Sequence, residues 1–108
     1  MKTTILESPY SASTSQGIEA NVAYACDCMA DSLERGEAPY LSHLLYTLVL
    51  DDTSPAERAL GIAAGQAWML VAEQVAVYTD RGISAGMQLG IDAAVKAGVP
   101  IVYRKLGK

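Results

Sequence analysis

The stretch VYTDRGISAGMQLG, residues 77–90, leads from an apolar β-type segment through a turn containing Gly82 into a helix. The apolar run Val75–Tyr78 predicts a buried strand. Ser84 is suited to cap the helix that follows, and Gly98 is suited to end it. A strand that passes directly into a helix is the repeating unit of α/β proteins, so this stretch predicts an α/β fold.

Two more helices are predicted upstream. Gly36 ends the first, whose apolar residues recur at intervals of three and four: Ile18, Val22, Ala25, Cys26, Met29 and Leu33. The second begins with Ser54 as its N-cap, Pro55 in the first helical position and Glu57 completing a capping box. It runs to about Gln74, and its apolar side is formed by Leu60, Ala63, Ala64, Ala67, Trp68 and Val71.

Strands are predicted between the helices, with Thr3–Leu6 as the first and Val99–Tyr103 as the last. Residues 38–50, APYLSHLLYTLVL, are ambiguous. Pro39 precedes a short β-type run with His43 near its end, and residues 44–50 fit a strand, a helical turn or a buried loop. The alternation predicts a single small doubly wound, Rossmann-like α/β domain over residues 1–108. Its four-stranded parallel sheet, taken in the order 2-1-3-4, is flanked by about three helices.

Composition excludes several classes of partner. The net charge is −4, and the eight Lys and Arg residues form no basic stripe, so no nucleic-acid partner is expected. No apolar run is long enough to span a bilayer, and the N-terminus is not a signal peptide, so we expect a cytoplasmic protein, in the host cytoplasm if viral. Cys26 and Cys28 point to opposite sides of a helix, so they can neither chelate one metal nor form a disulfide, and we expect free thiols. No constellation of ligating residues supports a metal site, and no cofactor is expected.

Two unusual turns are predicted to meet at the carboxyl end of the sheet. Ligands of open parallel sheets bind where the strand order reverses, here between strands 1 and 3. The turn at residues 7–10 follows strand 1, and the turn at residues 80–86 follows strand 3. Free amides at residues 85–87 would favour a phosphate or carboxylate, and Asp80 would accept hydrogen bonds from sugar hydroxyls. Alternatively, Gly86 and Gly90 simply let the helix lie close to the sheet.

Short segments of the chain resemble a known superfamily. LESPY (residues 6–10), GEAP with SHLLYT (36–39 and 42–47), and YTDRGIS with GM (78–84 and 86–87) resemble the nucleoside 2-deoxyribosyltransferase-like superfamily. The resemblance is closer to a compact branch of it that is common in phage genomes. The superfamily's enzymes use a carboxylate nucleophile to cleave and re-form the N-glycosidic bond of deoxynucleosides.

The resemblance implies a position for that nucleophile, directly after the Gly-Met pair, where this chain has Gln88. An amide cannot serve as this nucleophile, so transferase activity is not expected from that position. Asp80 matches the superfamily's sugar-side acid, while Glu7 and Asp92 are nearby carboxylates. Gln88 has a second interpretation, because Gln88, Asp92 and Lys96 are spaced as a solvated stripe of the helix.

The candidate ligand-binding residues are Glu7, Ser8, Pro9, Tyr10, His43, Asp80, Gly82, Ile83, Ser84, Gly86, Met87 and Gln88. The leading hypothesis is non-catalytic binding of a nucleoside- or nucleotide-derived molecule, for example by a phage sponge that sequesters an NAD-derived or cyclic nucleotide immune signal. The alternatives are a deoxyribosyltransferase or N-glycoside hydrolase acting through Asp80 or Glu7, and an interaction protein with a vestigial pocket. A homo-oligomer is expected, because small residues beside Trp68 permit close helix packing.

Overall fold

The computed structural model describes residues 1–107, which form one sheet of four parallel strands with helices on both faces. The strands are β1 (Lys2–Glu7), β2 (Glu37–Tyr40), β3 (Gln74–Tyr78) and β4 (Ile101–Arg104). They are arranged in the order β2-β1-β3-β4, which confirms the predicted Rossmann-like α/β architecture. The order reverses between β1 and β3, whose registered pairs run from Thr4 with Gln74 to Glu7 with Val77.

The helices are α1 (Ser15–Glu34), α2 (Ser42–Leu45), α3 (Pro55–Ala67) and α4 (Ala85–Ala97). Three are long, as predicted, and α2 is a single turn that continues into a 3-10 turn at Tyr46–Leu48. The ambiguous segment is therefore helical over much of its length. None of the helices within residues 1–107 combines the length and apolar character that a bilayer crossing requires.

Helix α1 covers one face of the sheet with a side that the sequence predicted only in part. Its buried residues are Tyr24, Ala25, Cys28 and Ser32. Of the predicted apolar residues, Ala25 is buried and Met29 packs against the same core, whereas Leu33 and Cys26 are exposed. The helix is rotated so that small and polar side chains meet the sheet, where they contact a buried polar network.

That network joins the two outer strands across the α1 face. The Arg104 guanidinium of β4 forms an ion pair with the Glu37 carboxylate of β2, which also accepts hydrogen bonds from Ser32 Oγ (2.7 Å) and Gln74 Nε2 (2.6 Å). Tyr78 donates its hydroxyl to Asp31 at 2.8 Å. Each buried charge thus has a partner, which offsets the cost of removing it from water.

The opposite face is covered by α4 and by Met69, in the 3-10 turn Trp68–Leu70 after α3. Ile5, Val75 and Val77 of the sheet pack there against Met87 and Ile91. Helix α3 contributes no fully buried residue to this layer, and it lies next to α2.

Several predicted boundaries were wrong. Pro39 lies inside β2 rather than before it, which is tolerated because β2 is an edge strand and needs fewer ladder donors. Helix α3 ends at Ala67 rather than near Gln74, because residue 74 starts β3. Glu57 accepts a hydrogen bond from the Asp51 amide, so the predicted capping box is not formed. The Ser54 cap itself is confirmed by its hydrogen bond from the Glu57 amide.

Candidate functional site

A cavity of about 390 Å³ opens at the carboxyl end of the sheet, in the crevice between β1 and α4. Its walls come from the end of β1, from α2 and the 3-10 turn after it, from the first turns of α3 and from the N-terminus of α4. A volume of this size accommodates a small organic ligand. The structure brings together seven of the predicted site residues on its walls: Glu7, Ser8, Tyr10, His43, Ser84, Gly86 and Met87.

The other five predicted site residues lie outside the walls of this cavity: Pro9, Asp80, Gly82, Ile83 and Gln88. Pro9 is buried behind the β1 turn, while Gly82 and Ile83 belong to the exposed loop before α4. Gly82 has a φ of +78°, the left-handed conformation that its predicted place in the turn requires.

Asp80 has a role in the fold instead. Its carboxylate accepts hydrogen bonds from the amides of Leu106 and Gly107, both at 2.9 Å, and from the hydroxyl of Tyr24 at 2.6 Å. These donors favour the ionised form and lower the pKa of Asp80 to about 2. The expectation that Asp80 faces the crevice was therefore wrong, because its side chain turns toward the α1 side and holds the C-terminal segment.

Gln88 lies on the exposed side of α4. Its Nε2 donates a hydrogen bond to Asp92 Oδ1 at 2.9 Å, and both side chains are exposed, as is Lys96 one turn further on. The interpretation of these three residues as a solvated stripe is therefore confirmed. Consequently Gln88 carries no information about chemistry in the cavity.

Glu7 is the carboxyl group of the cavity. As the last residue of β1 it points to the α4 face, and it has no hydrogen bond or ion pair with any residue that the structure describes. Removal from water disfavours its charged form and raises the pKa of Glu7 to about 8. At neutral pH this side chain is therefore mainly a carboxylic acid, which can donate as well as accept a hydrogen bond.

Ser8 and His43 form a polar pair beside Glu7. Ser8 Oγ lies 2.7 Å from His43 Nε2, which is hydrogen-bonding distance. Burial disfavours the imidazolium and lowers the pKa of His43 to about 4, so the ring is neutral at pH 7. The pair therefore offers the cavity uncharged polar groups.

The opposite wall includes donors that favour an anion. Ser84 caps α4 by accepting from the Met87 amide at 3.2 Å, so of the three amides predicted to be free, those of Ala85 and Gly86 remain without an intrahelical acceptor. A Cβ placed on Gly86 would lie 3.7 Å from Arg58 Nη2, so the guanidinium approaches the start of α4. Among residues 1–107, no carboxylate lies within ion-pair distance of Arg58. Guanidinium and helix N-terminus both favour an anion.

Sequence reasoning missed the contribution of residues 42–62 to the cavity. Besides His43, this segment supplies Ser42, Tyr46, Thr47, Leu50, Asp52, Glu57, Arg58, Gly61 and Ile62. One feature of the sequence could have indicated Arg58, because it has no carboxylate three or four positions away on its own helix. Within residues 1–107, no group of three or more His, Cys, Asp or Glu side chains is placed to hold a metal ion.

Comparison with known proteins gives the family but no activity. A search of curated proteins finds no match to this chain. A family model described as Domain of unknown function (DUF7768) matches residues 2–104, which is nearly the whole sequence and includes every strand and helix of the fold. The chain therefore belongs to the DUF7768 family.

Proposed function

We propose that this protein binds a small anionic molecule derived from a nucleoside or nucleotide in the cavity at the carboxyl end of the sheet. The observation that carries the proposal is the convergence of two sets of groups in one cavity. Arg58, which has no ion pair among residues 1–107, lies beside the α4 N-terminus, and Glu7, Ser8 and His43 form an uncharged polar group. The first set suits a phosphate or carboxylate, and the second suits hydroxyls or a base edge.

Aromatic side chains support the same class of ligand. Tyr10 and Tyr46 both line the cavity and can offer a ring face to a planar base. Tyr46 is held by its edge-on contact with Tyr40 and by a hydrogen bond from Trp68 Nε1 to its hydroxyl at 3.0 Å. Because the Tyr46 ring is already fixed by these contacts, it loses little conformational entropy when a ligand binds, which suits it to the wall of a binding site.

Calorimetric titration with ribose 5-phosphate, AMP and ADP-ribose tests this proposal. We expect saturable binding, weakened about 10- to 100-fold by Arg58→Ala, since a hydrogen-bonded ion pair with the anion is lost. The matched control is Lys96→Ala, which removes one positive charge from the exposed far end of α4 and should leave the affinity unchanged. Equal affinities for wild type and Arg58→Ala would contradict the proposal.

A sponge for a nucleotide immune signal remains a specific form of this proposal. It requires tight binding without chemistry, so a cyclic ADP-ribose probe should bind and be recovered intact by mass spectrometry. Recovery of hydrolysed ADP-ribose or of free adenine from this probe would contradict a sponge.

A second candidate function is hydrolysis of an N-glycosidic bond, favoured by the position of Glu7 in the cavity, by its raised pKa and by its lack of a partner among residues 1–107. A carboxylic acid can protonate the departing base while water adds to the anomeric carbon, so the base gains hydrogen and the sugar gains hydroxyl. Incubation with nucleosides and nucleoside monophosphates, followed by chromatography for free base, tests this function. Release should disappear in Glu7→Ala, and release that persisted would exclude Glu7 as the acid.

We also propose that the chain forms a homo-oligomer through the side that bears α3. Exposed apolar residues occur on α3 and on or next to the two 3-10 turns: Leu48, Val49, Leu60, Trp68, Leu70 and Val71. Exposed apolar surface of this kind is typical of an interface. Gly65 does not belong to this surface, because a Cβ there would lie 2.9 Å from Ser42, so it serves the contact of α3 with α2. Light scattering after size exclusion should give a mass above that of one chain, and Leu60→Glu should reduce it.

A further inference from the structure

The position of Glu7 separates two cavities. Its side chain lines the large cavity and also a smaller one of about 60 Å³ behind it, whose walls include Ile5, Met69 and Leu89. The side chain of Glu7 therefore lies on the boundary between the two cavities, where a ligand that fills the large cavity can reach it.

Gly90 provides the space that the carboxyl group occupies. A Cβ at Gly90 would overlap all three atoms of the Glu7 carboxylate, whereas a Cβ at Gly86 meets only ordinary contacts. The two glycines lie one turn apart on α4, which is about 6 Å along the helix. The carboxyl of Glu7 and the anion-favouring start of α4 therefore lie along the same helix, about one turn apart where they meet its surface.

The charged and titratable groups of the cavity come from several elements. From α2 and the 3-10 turn come His43, which is paired with Ser8, and Tyr46; the β1 turn adds Tyr10. Helix α3 and the loop before it contribute Arg58, Glu57 and Asp52. The Glu57 carboxylate accepts a hydrogen bond from the Asp51 amide, and the Asp52 carboxylate accepts one from Ser11 Oγ. The facing residues of α4, Gly86, Met87 and Gly90, carry no charge. Among residues 1–107, none of these groups donates a hydrogen bond to Glu7.

We propose that Glu7 determines ligand specificity by entering the complex as an un-ionised carboxylic acid, with its O–H donating to one ligand atom and its C=O accepting from the neighbouring one. This inference rests on the proposed binding function. A donor beside an acceptor is the pattern of an amide, and it matches the edge of a nucleobase that presents an acceptor next to an amino group. The un-ionised acid also avoids repulsion of the anionic part of the ligand near Arg58.

Two probes that share an anion separate this inference from the binding function itself. AMP carries a base edge with adjacent acceptor and donor, and ribose 5-phosphate carries the phosphate and sugar alone. Calorimetry with both probes at pH 7.0 and pH 9.5 should show tighter binding of AMP at pH 7.0. This preference should shrink about tenfold per pH unit above pH 8, where Glu7 ionises.

Variants of Glu7 isolate its contribution. Glu7→Gln keeps a donor beside an acceptor but cannot ionise, so its preference for AMP should persist equally at both pH values. Glu7→Ala should lose the preference for AMP at both pH values, because it removes both the donor and the acceptor. The wild-type pH response needs no variant, so the inference stays testable if either variant folds poorly.

The failures are distinguishable. Equal affinity of wild type for the two probes, or a pH response that persists in Glu7→Gln, would overturn the role of Glu7 while leaving the anion-binding function in place. Absence of binding by both probes at pH 7.0 would overturn the proposed function and this inference with it.

Discussion

Glu7 and Glu37 lie on opposite faces of the same sheet, and their environments shift their pKa values in opposite directions. Glu37 has an ion pair with Arg104 and hydrogen bonds from Ser32 and Gln74, which lower its pKa to about 2. Glu7 has none of these partners among the described residues, and burial raises its pKa to about 8. A paired buried carboxylate belongs to the structure, whereas an unpaired one in a cavity is a candidate for function.

Breaking the Glu37 network should have the largest effect on stability. Arg104→Ala leaves the Glu37 carboxylate buried without its charge partner, so we expect the free energy of unfolding to fall by about 3–5 kcal/mol. Urea denaturation measures this loss. The control is Arg35→Ala, which breaks the exposed ion pair with Asp31 and should cost about 0.2–1 kcal/mol. Similar losses for the two variants would mean that the network does not stabilise the α1 face.

The pH dependence of stability should distinguish the two glutamates. The contribution of Glu37 is present above pH 4.5 and is lost as the pH falls toward 2, because its folded pKa is lowered. Glu7 acts in the opposite sense, so its ionisation makes the fold less stable as the pH rises from 4.5 to 8.

The variant Glu7→Gln should therefore gain stability relative to wild type between pH 5 and pH 8, by about 3 kcal/mol. Urea midpoints at these two pH values measure the gain. His43, whose pKa is lowered to about 4, contributes equally to both proteins and cancels from the difference. A constant difference between the two proteins across this range would contradict the unpaired state of Glu7.

A smaller effect on stability should test whether the absence of a side chain at Gly90 leaves the space that the Glu7 carboxyl occupies. Alanine stabilises a helix interior over glycine by about 1 kcal/mol, but at Gly90 its Cβ would displace the Glu7 carboxyl. We expect Gly90→Ala to stabilise the Glu7→Ala background by about 1 kcal/mol and to give no such gain in wild type. Thermal denaturation of the four proteins of this double-mutant cycle gives the coupling. A coupling free energy of zero between the two substitutions would exclude a contact between Gly90 and the Glu7 carboxyl.

The smallest and most local effect is expected at Asp80. Asp80→Ala removes the acceptor of the Leu106 and Gly107 amides, so these two amides should exchange hydrogen faster while affinity for ribose 5-phosphate is unchanged. Hydrogen exchange read by NMR and a calorimetric titration measure the two quantities. A loss of affinity for ribose 5-phosphate, with unchanged hydrogen exchange at Leu106 and Gly107, would mean that Asp80 contributes to the binding site.

The sequence predicts where much of the site lies but not all of the side chains that form it. The turn LESPY and the start of α4 were placed on the same crevice because parallel strands end at one edge of the sheet. His43 was named, but Arg58 and Tyr46 were not, since no local pattern ties residues 42–62 to that edge. The end of the third strand predicts Asp80 at the crevice and the superfamily resemblance implies Gln88 there, but both side chains point elsewhere.

The sequence by itself determined the order of strands and helices, the caps at Ser54 and Ser84, and the crevice at which the two turns meet. These features depend on local backbone preference and on the alternation of strand and helix along the chain, and both are determined by residues that are close together in the sequence. Only the tertiary structure decided which side of α1 is buried and which carboxyl group lacks a partner. Both depend on how far each helix is rotated against the sheet, and that rotation is set by contacts between residues distant in the chain.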